Sequence, residues 1–233
     1  MKHIIIITAA AALLASCNFI SVKNPLEGQD QVSEKADNNN NSTMEKKNFE
    51  ISAFDAIHTM GAFDVKYLVS ETPSVQVTAK AYVMERLEVK VEDGVLVMNT
   101  SKGKPIRSDV KAIVTGPAVK SIQIDGAGDF EIGTFNLDGA LKISVNGAGD
   151  LEMGRVVCEA LKISVAGAGD VDIDNIQAQT LDISIAGAGD AKIGGSVQDA
   201  NLSIAGAGDI DARNLEIKGN FNKSVKGLGK VSR

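Results

Sequence analysis

The chain has 233 residues, 24 basic and 30 acidic side chains, a formal net charge of −6 and 44% hydrophobic residues. That composition suits a folded domain and offers no basic surplus for nucleic acid. Two cysteines, two histidines and no tryptophan exclude a disulfide framework and leave few parts for a Ser/His/Asp or Cys/His set.

Lys2 precedes an apolar run from Ile4 to Leu14 that is too short to cross a bilayer as a helix and has the layout of a secretory signal over residues 1–16. The run ends in Leu14-Ala15-Ser16-Cys17, which resembles the bacterial lipobox, whose cysteine carries lipid and becomes the first residue of the mature protein. The expectation is an exported protein held in the cell envelope, at the outer membrane, with the membrane as partner through lipid on Cys17. Cleavage would leave 23 basic against 30 acidic residues, a net of −7 that argues against nucleic acid and against electrostatic docking on anionic lipid. Residues 17–47 are polar, with Asn38 to Asn41 unbroken, and read as a disordered tether. Such a tether reaches roughly 30 Å.

Residues 48–118 read as an irregular β region. Phe63 to Tyr67, Ser74 to Thr78 and Leu87 to Val91 alternate apolar and polar, and Glu92-Asp93-Gly94 marks a hairpin turn before Val95 to Met98. His58 falls in an ordinary strand-like stretch. Gly61-Ala62-Phe63-Asp64 is a degenerate copy of a motif met later, so this region forms either distorted coils of one solenoid or a separate β cap.

That motif dominates residues 119–233. Gly-Ala-Gly-Asp starts at Gly126, Gly147, Gly167, Gly187 and Gly206, at intervals of 21, 20, 20 and 19 residues. Each unit alternates with period two, as in Leu161, Ile163, Val165 before the turn and Val171, Ile173 after it. A unit of about 20 residues cannot bury its apolar row alone, so neighbours must stack. The fold class is therefore all-β, a parallel β-solenoid of about 20-residue coils. The inward row runs through Leu141, Ile143, Val145 and their equivalents to Ala200, Leu202, Ile204. It then meets Phe221, Lys223 and Val225, with Gly227-Leu228-Gly229-Lys230 replacing the motif, which marks a capping coil. Cys158, like Ala178, lies eight residues after the motif Asp and reads as a buried, inert thiol.

The paired turn glycines, Gly126 and Gly128, Gly147 and Gly149, Gly167 and Gly169, Gly187 and Gly189, Gly206 and Gly208, answer a need for positive φ or close approach of coils. Asp129, Asp150, Asp170, Asp190 and Asp209 would stack about 4.8 Å apart, where like charges repel by roughly 1 to 3 kcal/mol. One reading is that each carboxylate caps N–H groups of its own turn. The other is a row of Ca²⁺ sites, although the motif departs in period and spacing from calcium-binding nonapeptide repeats. An enzyme resembling polysaccharide lyases would need long insertions forming a cleft, which coils this short do not supply. A glycan-binding module would have to work without exposed aromatics, using the Asp, Asn and Ser of the outer faces.

Phe54-Asp55-Ala56-Ile57, Met60 to Val65, Thr115 to Ile122 and the repeated turns together resemble the family called putative auto-transporter adhesin, head GIN domain, across about residues 48–233. Gly116-Pro117 departs from the strand residue expected there. The resemblance implies a single-stranded β-helix displayed on the cell envelope, with no catalytic or ligand residues to carry over. The combined expectation is a non-enzymatic, lipid-anchored envelope solenoid acting as an adhesin or interaction scaffold for an extracellular protein or glycan. The alternative is a Ca²⁺-stabilised glycan-binding module.

Overall fold

The computed structural model describes residues 43–100 and 110–233. The signal segment, Cys17 and residues 17–42 of the expected tether lie outside them. The described chain is nearly all strand, wound into parallel stacked coils.

The regular coils form because each run alternates strictly. In β12 (Ala160–Gly167), Leu161, Ile163 and Val165 are buried while Lys162 points out. Gly167, at φ 137°, turns the chain, and β13 (Val171–Gly187) continues with Val171 and Ile173 buried. A register shift between Ile173 and Ile176 makes a second corner and returns Ile176 to the core. The same path recurs in β8 (Ser121–Ala127) and β9 (Phe130–Asn136), β10 (Ala140–Gly147) and β11 (Leu151–Val157), and onward through β14 (Ala191–Gly206) and β15 (Ile210–Ile217). Parallel pairing aligns like residues, Leu141 with Leu161 with Leu181 and Ile143 with Ile163 with Ile183. Burying each such side chain contributes about 1.5 to 3 kcal/mol, and one cluster runs the length of the stack.

The first part of the chain belongs to the same stack, out of sequence order. β2 (Ala56–Ala62) and β3 (Asp64–Val69) form a coil directly beneath β8 and β9, with Gly61 opposite Gly126. The chain then steps down: β6 (Val95–Asn99) lies beneath β2, and β7 (Lys111–Gly116) beneath β3, both parallel. Residues 117–120 return past the coil already laid. The end is covered by antiparallel strands, β5 (Glu88–Glu92) on β6, β4 (Ser74–Lys80) on β7, and β1 (Met44–Phe49) on β4. This part of the chain thus comprises two tiers of parallel strands in the stack and an antiparallel layer over its end. The hairpin at Asp93-Gly94 forms as expected, with φ of 50° and 78°.

Two boundaries differ from the sequence reading. β1 begins at Met44, inside the segment read as tether, because Met44 to Asn48 are all exposed and show no alternation. A short helix, α1 (Ala81–Met84), follows β4 and buries Val83 and Met84. The unexpected Gly116-Pro117 also has a packing reason: a Cβ at 116 would strike the Phe54 ring, and the Pro117 carbonyl accepts the Tyr67 hydroxyl at 2.5 Å.

At the other end, β16 (Phe221–Gly227) stacks in register on β14, and β17 (Val231–Ser232) on β15. Lys223 keeps the inward register opposite Leu202 yet is exposed, since no further coil covers it. Arg233 lies over the Phe221 ring at 4.8 Å and closes part of this end.

Candidate functional site

The row of motif aspartates forms one edge of an outer face, at the corner after each Gly-Ala-Gly. The carboxylates do not cap their own turns. Asp150 Oδ1 accepts the backbone N–H of Asp170 at 2.9 Å, Asp170 that of Asp190 at 2.8 Å, Asp190 that of Asp209 at 2.7 Å, and Asp209 that of Lys230 at 2.9 Å. Each of these four side chains therefore stitches its coil to the next. The following residue donates the opposite way, to a backbone carbonyl of the next coil, Leu151 N–H to Asp170 O and Val171 N–H to Asp190 O. At the corner, where the strand ladder lapses, the carboxylate supplies the missing acceptor. A hydrogen bond to a charged group contributes about 1.5 to 3 kcal/mol, enough to offset repulsion between neighbours that water also screens.

The row is longer than its motif. Asp64 Oδ1 lies 3.5 Å from the Asp129 N–H, making Asp64 the first rung. Lysines stand at both ends: Lys111 pairs in register with Asp64, and Lys230 Nζ lies 3.4 Å from Asp209 Oδ2. Asp64 was legible in Gly61-Ala62-Phe63-Asp64; Lys111 was not, because only the backtracking of β7 brings it there. Burial, then the Asp64 and Asp150 carboxylates, raise the pKa of Asp129. The folded state thus holds that proton more tightly than the unfolded chain. Its contribution is stabilising at low pH and is lost as pH rises through the raised value.

For Ca²⁺ the geometry is unhelpful. A backbone N–H occupies the space between successive carboxylates, with its positive end where a cation would sit. Among the described residues no three His, Cys, Asp or Glu side chains converge as a metal site needs. The glycines of the row are held by contact: a Cβ on Gly147, Gly167, Gly187 or Gly206 would overlap the carbonyl oxygen of the glycine one coil below.

Two other sequence candidates have plain surroundings. Cys158 is buried at the foot of a trough lined by Gln177, Gln179, Gln198 and Lys218, and burial pushes its thiol up to about 11. It is a poor nucleophile. His58 Nε2 lies 2.6 Å from Asp125 Oδ2, which also accepts from Gln123 at 2.8 Å, while Asn146 donates to Oδ1 at 2.7 Å. This cluster ties β2, β8 and β10 together. Desolvation raises the Asp125 pKa, but the bonds from Asn146, His58 and Gln123 outweigh it and the net shift is downward. Its stabilisation is present above the ordinary aspartate value and lost as pH falls through the lowered one. Asp125→Ala should cost about 1 to 2 kcal/mol by urea denaturation at pH 7 and less near pH 3.

Solved structures share this architecture. A putative adhesin from Bacteroides fragilis NCTC 9343 is 20% identical, with a TM-score of 0.67 over 82% of this chain and 97% of that one. A putative lipid binding protein from Parabacteroides distasonis ATCC 8503 is 23% identical with a TM-score of 0.69 over the same shares. A putative adhesin from Parabacteroides merdae ATCC 43184 is 21% identical with a TM-score of 0.68, covering 82% and 96%. At these identities the likeness is one of fold. No curated protein matches the chain. The sequence profile described as "Putative auto-transporter adhesin, head GIN domain" matches residues 53–232. The chain belongs to that family.

Proposed function

We propose that the protein is a non-enzymatic interaction scaffold of the cell envelope, anchored by lipid on Cys17 and presenting its solenoid as an adhesin to extracellular partners. The observation that carries this reading is the surface: among the described residues it presents rows of short, like side chains rather than a convergent cleft. Ser144, Ser164, Ser184, Ser203 and Ser224 follow one another in register on the outer side of the strands, three residues before the turn glycines Gly147, Gly167, Gly187, Gly206 and Gly227. Such a ladder repeats one hydrogen-bonding group about every 4.8 Å, which suits extended recognition and offers no site for positioning a reacting atom. Membership of an adhesin family supports the same reading.

The anchor is tested in a Gram-negative host producing the full-length chain. Wild type should sediment with outer membranes, and Cys17→Ser should appear in the soluble periplasmic fraction. Cells with the wild type should adhere to surfaces coated with defined polysaccharides or matrix proteins several-fold better than cells with Cys17→Ser. Identical fractionation of the two would remove the lipid anchor, and equal adhesion to every surface would remove the adhesin reading.

A further inference from the structure

The outer face that carries the Asp row is divided by charge along the solenoid axis. Its register can be followed strand by strand: Lys46, Thr78, Lys111 and Asp64 in one row, Gln76, Ile113, Lys66, Glu131, Glu152, Asp172 and Lys192 in the next. The cap end is basic, with Lys46, Lys66 and Lys111 around the exposed aliphatic side chain of Ile113. The next three coils are acidic, with Asp129, Asp150 and Asp170 at the edge and Glu131, Glu152, Asp172 and Asp174 beside them.

Part of this charge is satisfied within the chain. Lys66 pairs with Glu131 at 2.8 Å and Lys192 with Asp172 at 2.9 Å. Lys46 and Lys111 at one end, and Glu152 and Asp174 at the other, make no ion pair or side-chain hydrogen bond among the described residues. The acidic stretch is also flattened by Gly133 and Gly154. Gly154 has a steric reason, since its Cβ would lie 2.8 Å from the Gly133 carbonyl oxygen. Gly133 has none: its φ is not positive and nothing lies within 4 Å of where a Cβ would be. Gly133 lies at the second corner of its coil, where the ladder between β9 and β11 skips a pair, and it adds no side chain to the acidic stretch.

We infer that this face is a self-complementary contact, through which two copies of the protein pair by a two-fold axis that lays the lysine end of each over the acidic coils of the other. In such an arrangement one patch serves both partners, and residue i meets j as j meets i. About seven strands of about five residues give roughly 500 Å² on each side, about 1,000 Å² in total, in the range of weak and transient interfaces. The pairing is therefore weak in solution, salt-sensitive and favoured where many copies crowd one surface. It deepens the scaffold reading by naming the partner as a second copy, and the test below does not depend on where the protein is anchored.

The mature-length Cys17→Ser chain is examined by sedimentation equilibrium up to about millimolar concentration. A monomer–dimer equilibrium is expected at low salt, weakened at least tenfold in 0.5 M NaCl. Glu152→Lys with Asp174→Lys, and separately Lys46→Glu with Lys111→Glu, should each be monomeric with an unchanged circular dichroism spectrum. Mixing the two variants should restore association as a heterodimer. A monomeric wild type at low salt, dimers in either variant alone, or no association in the mixture of two folded variants would each overturn the inference.

Discussion

Replacing Gly167 by alanine is expected to lower stability by about 3 to 5 kcal/mol, a large effect for the addition of one methyl group. Two costs combine there. The φ of 137° is one that L side chains rarely adopt, and the new Cβ would overlap the backbone carbonyl of Gly147 in the coil below. Neither can be relieved locally, because the obstacle is backbone whose own position is held by Ala168 N–H donating to Gly147 O at 2.8 Å. Separating the coils at this corner would also strain the Asp150 to Asp170 bond beside it. Urea denaturation at constant m-value reads the loss directly. Gly133→Ala is the control: it meets no atom and no φ restriction, so its stability should change by less than about 0.5 kcal/mol. A Gly167→Ala loss below about 1 kcal/mol would mean that the coils are not held at the spacing described.

How much of this was legible depends on whether a residue's neighbours are a fixed number of residues away. Within the regular array they are, and the row Leu161, Ile163, Val165 could be placed inward, with the coils in register, from period alone. The direction of the Asp bonds was not legible. An aspartate beside a turn suggests a local cap, and nothing in one repeat says that the strand ladder lapses at the corner and that the nearest free N–H belongs to the coil above. The cap was hidden for a different reason. Lys111 reaches Asp64 only because the chain lays β2 and β3, descends to β6 and β7, and returns, so that sequence neighbours are spatially two tiers apart. β1 escaped notice because an exposed edge strand rich in lysine carries no hydrophobic alternation, the very feature that keeps such an edge from pairing with another chain.

The substitution series at Asp170 separates a hydrogen-bonded ladder from a metal ladder. Asp170→Ala leaves the N–H of Asp190 without its 2.8 Å acceptor and should cost about 1 to 2 kcal/mol, limited by the access of water to an exposed corner. Asp170→Asn retains an oxygen acceptor of the same reach and removes the charge between Asp150 and Asp190. It should be within about 0.5 kcal/mol of wild type, and more stable than wild type at low ionic strength, where the repulsion is least screened. A Ca²⁺ ladder predicts that the amide is about as damaging as alanine, because an amide oxygen replaces a carboxylate poorly around a divalent cation. It also predicts that millimolar Ca²⁺ raises the melting temperature over EDTA, by several degrees if the ion is present at 100 times its dissociation constant, which corresponds to about 2.7 kcal/mol. The geometry requires a melt that is the same in Ca²⁺ and in EDTA, with alanine harmful and asparagine harmless. An EDTA-sensitive melt in which asparagine is as damaging as alanine would show that the carboxylates hold a cation, and the stitching of one coil to the next would then have to be assigned to the metal.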